Sequence, residues 1–190
     1  MATFLQSRVD RLVPVLTESS ATLGRFSSGV AWSGDEAVTV LASAAATYQS
    51  LGMPLSENVV RAQLADLTTA LHGIHPGTGE RVVTRRRDLV RGCTLAALRT
   101  TSARLRDDIA ADEGVLSDAR ALLRPIVLQA LHRGLLGAAL PADPDQAYLE
   151  QVWAAVKADP DLTVAAAQVA LLVSGPDILV ILGELFRQLG

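Results

Sequence analysis

Residues 162–186 read LTVAAAQVALLVSGPDILVILGELF, and Asp177 and Glu184 are the only charges among them. A run this apolar belongs in a core, a membrane, an interface or a degenerate DNA-binding motif. Ser174-Gly175-Pro176-Asp177 falls in its middle. A serine followed by proline starts a helix, because the hydroxyl caps free N–H groups and proline tolerates the first turn. The run therefore divides into two short helices, about 163–173 and 176–189. A membrane span needs about twenty uninterrupted apolar residues, and Asp177 at its centre would cost roughly 3 kcal/mol. A span is not expected.

The first of these helices has one strongly polar side chain, Gln168, and the second a narrow polar strip of Asp177, Glu184 and Gln188. Helices apolar nearly all round are either central or covered by a partner. A chain of 190 residues can centre one such helix. Centring two from its C-terminal end is harder, and an oligomer contact, commonly a two-fold dimer, takes up the surplus. The expected contact residues are Val169, Leu172, Ile178, Leu179, Ile181, Leu182, Leu185 and Phe186.

Residues 162–190 also resemble the helix-turn-helix pattern of many bacterial regulators, with Ile178, Ile181 or Leu182, and Leu185 in the inward positions. The resemblance implies that the second helix reads DNA. A recognition helix presents polar or basic side chains outward to reach base edges and phosphates. Here the outward positions hold Asp177, Leu179 and Val180, with Glu184 farther on. Hairpin geometry is expected; DNA reading by this helix is not.

The rest of the chain is helical by the same logic. It is 49% apolar and 19% charged, enough to bury a core and unlike a disordered chain. No alternating strand-like run of useful length appears, and apolar spacing is helical almost everywhere. Phe4, Leu5, Val9, Leu12, Val13 and Leu16 form one stripe that Pro14 kinks or divides. Ser33 and Glu36 match a capping box for a helix from about 34 to Ser50, stopped by Gly52 and Pro54. Ser56 caps the next helix, lined by Val60, Leu64, Leu67 and Leu71 and ended by Gly73. Residues 75–84, HPGTGERVVT, are a turn with a short extended segment at Arg81-Val82-Val83.

Thr84 or Asp88 opens a helix to about Ala111. Gly114 breaks the pattern, Ser117 restarts it, and Pro125 kinks or breaks it near Arg124. Asp143 as cap, Pro144 and Gln146 then start a helix with Leu149, Val152, Trp153 and Val156 inward, ended by Asp159-Pro160-Asp161. The expectation is an all-α protein, a compact multi-helix bundle of about seven to nine helices ending in a very apolar helical hairpin. Residues 1–142 form its main helical domain and 143–190 a C-terminal helical subdomain.

Sixteen arginines stand against one lysine, Lys157, a bias that an Arg- and Ala-rich source proteome also produces. Arg85, Arg86 and Arg87 open one helix, and Arg91, Arg99 and Arg106 follow at spacings that share a face. Such a stripe can track phosphates, although no aromatic interleaves it for base stacking. The net charge of −3 supplies no general attraction to nucleic acid. His72 and His75 sit three apart across a helix end without a clear third ligand, so no metal is expected. HPGTGERVV resembles a short stretch of bacterial glutaminases of the serine β-lactamase-like fold, which implies a Ser-x-x-Lys pair. The only lysine, Lys157, follows Ala154 at that spacing, so the activity is not carried over. Cys93 is a lone thiol in a helix, which fits a reducing compartment and an inert core residue.

These features predict a cytoplasmic, non-enzymatic protein–protein interaction or assembly module without a cofactor, whose partner is a second copy of itself or another protein. The first alternative is a nucleic-acid-associated regulator using the Arg85–Arg106 face. The second is a small-molecule-binding helical domain or enzyme, with Trp32, Tyr48, Tyr148 and Trp153 as candidate linings.

Overall fold

The computed structural model describes residues 4–28, 33–136, 141 and 143–189. Trp32 lies outside the described residues. Among these residues the chain is all-α, with seven helices and no strand: α1 (Leu5–Ser27), α2 (Gly34–Leu51), α3 (Pro54–Leu71), α4 (Arg86–His132), α5 (Gln146–Ala158), α6 (Thr163–Leu172) and α7 (Gly175–Leu189). The chain falls into two units, Arg8–Ala110 and Met1–Ser7 with Ala111–Gly190.

The expected breaks in two helices do not occur. α1 runs through Pro14, which sits on the exposed side while Val9, Leu12, Val15, Ser19, Thr22 and Phe26 are buried. α4 runs through both Gly114 and Pro125 as one helix of 47 residues. Its buried positions Leu98, Ser102, Leu105, Ile109, Asp112, Leu116, Ala119, Leu123, Ile126 and Ala130 follow each other at alternating steps of four and three. Neither breaker lies on that stripe. Proline in a helix interior costs about 3 kcal/mol and glycine about 1. Burying one large aliphatic side chain contributes roughly 2 kcal/mol, so an unbroken stripe outweighs both.

Within Arg8–Ala110, α2 packs on α3. Ser33 caps α2 by accepting from the Glu36 amide at 3.2 Å, and Gly52 ends it in the left-handed region at φ 67°. α3 starts two residues before the expected cap, at Pro54. Ser56 is instead buried inside its first turn, and its hydroxyl donates to Asp108 Oδ2 at 2.8 Å. Arg104 closes the cluster: Nη2 donates to Asp108 Oδ1 at 2.8 Å and Nε to Asp108 Oδ2 at 3.1 Å and Ser56 Oγ at 2.9 Å. Gly73, at φ 76°, turns the chain into the 75–84 segment, where Ile74 and Arg81 form an isolated antiparallel bridge.

Within the other unit, α5, α6 and α7 touch pairwise. Leu149, Val152, Trp153 and Val156 of α5 are buried as expected. The cap of α5 is Asp145, not Asp143; its carboxylate accepts from the Tyr148 amide at 2.7 Å. Either aspartate fits the local pattern, and the structure places the first turn two residues later. α6 and α7 meet at a bend of 114°. Asp177, expected on an outward strip, is 1% exposed. It accepts from the Leu5 amide (3.2 Å), the Gln6 amide (3.0 Å) and the Ser174 hydroxyl (2.6 Å), tying the start of α1 to the start of α7. Glu184 is likewise not free, accepting from Arg120 Nη2 of α4 at 2.6 Å.

Candidate functional site

The eight apolar residues expected at an intersubunit contact are placed in two ways. Val169, Ile178, Ile181, Leu182, Leu185 and Phe186 are buried within the chain itself. Leu179 is half-buried and Leu172 is exposed. Packing α7 against α5 and α6 uses the inward stripe, as an amphipathic helix must. What remains outside is a different set of side chains. On α6, Val164 is 68% and Leu171 86% exposed, with Ala167 and Gln168 between them also in solvent. Positions i, i+3, i+4 and i+7 share one helix face. This face carries no charge, and sequence periodicity does not mark it because α6 has hardly a polar side chain to define a solvent side.

A second exposed feature lies beside it. The α5 residues Gln146, Leu149, Glu150, Trp153 and Lys157 recur at three- and four-residue steps, as do Pro176, Leu179, Val180, Gly183 and Arg187 of α7. The two stripes line two clefts of about 490 and 420 Å³ that share Gln146, Pro176 and Leu179. They therefore form one groove between α5 and α7, which Phe4, Asp143 and Pro144 also line. Leu149 meets Gly183 across it, and Lys157 lines the same cleft as Gly175. Gly183 is buried where α7 meets α5: a Cβ there would touch Leu149 Cδ1 at 3.5 Å, ordinary van der Waals contact. Arg187 Nε donates to the Gly183 carbonyl at 3.1 Å, which holds the guanidinium at the groove end.

The arginine set is distributed differently from a phosphate clamp. Arg85, Arg86, Arg87, Arg91, Arg99 and Arg106 are all exposed. Arg86 donates to the Leu71 carbonyl, the last of α3, a favourable place for a cation at a helix C-terminus. Arg85 holds a left-handed φ of 59° just before α4, and its carbonyl accepts from the Leu89 amide at 3.1 Å. Arg91, Arg99 and Arg106 have no carboxylate partner among the described residues.

The other candidates have packing roles. His75 Nδ1 accepts from the amides of Gly77 and Thr78 at 3.2 and 3.3 Å, which commits that nitrogen to the turn. Among the described residues no group of three or more His, Cys, Asp or Glu side chains is placed to hold a metal. Burial, and then the Asp66 charge, push the Cys93 thiol up from its ordinary value, although Cys93 is half-buried and not the core residue expected. Tyr148 donates to the Leu136 carbonyl at 3.2 Å and meets Phe186 edge-on at 6.0 Å. Trp153 is buried with the Lys157 ammonium 6.0 Å from its ring centre.

Among the described residues no single helix is long and apolar enough to cross a membrane; α6 and α7 reach that apolarity only as a bent pair. Comparison with protein-family models, with curated proteins and with solved structures finds no match.

Proposed function

We propose that this chain is a helical protein–protein interaction module that works by contact, with the outward face of α6 as its contact surface. The carrying observation is Leu171, 86% exposed on a helix without a charged side chain, beside Val164 at 68%. A single exposed leucine is ordinary, but an uncharged helix face that is apolar apart from Gln168 suits a surface covered by protein. In this reading α6 and α7 form the apolar hairpin that ends a helical bundle, α7 facing inward and α6 outward. Self-association is the simplest form, and a lone thiol suits a cytoplasmic setting.

Light scattering across a dilution series tests it. The wild-type mass is expected to exceed that of a monomer, and Leu171→Glu to weaken association by about 100-fold, the effect of placing an unpaired charge in an apolar contact. A wild-type chain that stays monomeric and soluble at high concentration rules out self-association.

One observation favours a second reading, a regulator binding phosphate backbones: Arg91, Arg99 and Arg106 are exposed without carboxylate partners among the described residues. It predicts salt-dependent retention on heparin that Arg91→Glu with Arg99→Glu abolishes. Absence of retention at low salt ends it.

A further inference from the structure

We infer that a cleft where the start of α2, the end of α3 and the start of α4 meet binds a small organic phosphate monoester. This site goes beyond both readings above and depends on neither. Gly34, Leu71, Arg86, Arg87 and Val90 line a cleft of about 360 Å³, within the range of small-molecule sites. All five residues belong to the unit Arg8–Ala110. They come from three different helices, so no local pattern announces the site.

The cleft selects by charge. Two guanidiniums line it and, among the described residues, no carboxylate does. The groove between α5 and α7 differs: it sets Asp143 and Glu150 against Arg187 and Lys157 and favours neither sign. Arg86 is held in place. It donates to the Leu71 carbonyl, and its Nε lies 3.4 Å from the point that a Cβ on Gly73 would occupy. Arg87 is exposed and makes no ion pair among the described residues. One anchored guanidinium and one unpaired guanidinium call for an anion of matching charge. A phosphate monoester carries about −1.5 to −2 at neutral pH. Its oxygens accept from guanidinium N–H pairs in the planar geometry that arginine offers. A carboxylate brings a single charge and leaves one guanidinium unmatched.

The rest of the lining sets the other half of the ligand. Val90 is buried and Leu71 half-buried. Gly34 brings the α2 backbone so close that a Cβ there would collide with Leu71 Cδ2. The uncharged lining is therefore apolar, and a cleft of this size takes one ring or a short branched chain beside the phosphate. A nucleic-acid backbone would engage the two guanidiniums and leave Leu71 and Val90 unused.

Titrating the full-length chain with phenyl phosphate, inorganic phosphate and benzoate, followed by amide NMR shifts, tests the site. Phenyl phosphate is expected to saturate one site with a Kd on the order of 1 mM, fitting for so few atoms in an exposed cleft. Its shifts should centre on Gly34, Leu71 and Val90. Inorganic phosphate lacks the ring and benzoate the second charge, so each is expected to bind about tenfold more weakly. Arg87→Met is expected to weaken phenyl phosphate binding about tenfold and to leave the urea midpoint unchanged, because this guanidinium has no ion pair to lose. Arg99→Glu with Arg106→Glu should leave the affinity as it is, which separates this site from the phosphate-backbone reading. No saturation at about ten times the expected Kd overturns the inference. So does undiminished binding to Arg87→Met, or binding lost in the Arg99 and Arg106 variant. Benzoate binding as tightly as phenyl phosphate overturns the phosphate assignment, and inorganic phosphate doing so overturns the apolar half of the site.

Discussion

Asp177→Ala is expected to lower stability by about 3 kcal/mol, adding roughly 1 kcal/mol for each helix-capping bond lost to a charge–dipole share of similar size. The carboxylate is 1% exposed and all its partners are donors: two amides of the first turn of α1 and the Ser174 hydroxyl. The first N–H groups of a helix have no partner inside it. Asp177 satisfies two of those of α1 while lying in the first turn of α7, where a negative charge also complements that helix dipole. Alanine leaves the amides and the hydroxyl without their acceptor. An asparagine side chain would keep one acceptor oxygen but aim an amide donor at donors, so Asp177→Asn is expected to lose about half as much. The checks are the urea midpoint and hydrogen exchange at Leu5 and Gln6, whose protection should disappear. A midpoint within ~0.5 kcal/mol of wild type, the ordinary range of a surface substitution, would show that the tie contributes nothing.

Asp177 also shows where sequence reading stops. Its local context, Ser174-Gly175-Pro176-Asp177, announces a helix start, and α7 begins there. Its two amide partners lie 171 and 172 residues away, and nothing local distinguishes a carboxylate that caps a distant helix from one on a solvated strip. Short amphipathic helices are legible because polar outer faces define their period. Leu149, Val152, Trp153 and Val156 are buried, and Gly52 and Gly73 turn the chain as glycines in the left-handed region do. The continuity of α4 is not legible locally. Gly114 and Pro125 are strong local signals, while the stripe from Leu98 to Ala130 that overrides them is read only over about nine turns. The candidate surface is half legible. The apolarity of 162–186 announces surplus burial, but α6 lacks the polar side chains that would say which face is outward. Leu171 and Val164 therefore emerge only once Val169 and Ala166 are seen in the core.

Asp108→Ala is expected to cost about 3 kcal/mol, the lower end of the range for removing one member of a buried ion pair. Arg104 is 38% exposed on its side chain, so water takes back part of its charge and the full penalty does not apply. The loss is nonetheless large because Asp108 is shared. Without it Ser56, 1% exposed, loses the acceptor of its hydroxyl, and the two-pronged Arg104 contact disappears. Arg104→Met should cost less, since the Ser56 hydroxyl still solvates the carboxylate. Tyr48 gives the contrast within the same cluster. Its hydroxyl is buried without a well-formed hydrogen bond. Burial first, and the Asp108 carboxylate second, push its pKa above the ordinary 10.0. The folded state therefore holds the phenol proton where the unfolded state releases it, so this share of stability is complete below about pH 10 and declines as pH rises further. Tyr48→Phe should be nearly neutral at pH 7 and flatten that alkaline decline, whereas Asp108→Ala destabilises at neutral pH. Urea midpoints of the three variants at pH 7, with Tyr48→Phe and wild type repeated above pH 10, check the order. If Tyr48→Phe costs as much as Asp108→Ala at pH 7, the phenol is a working donor and the carboxylate is not the centre of the cluster.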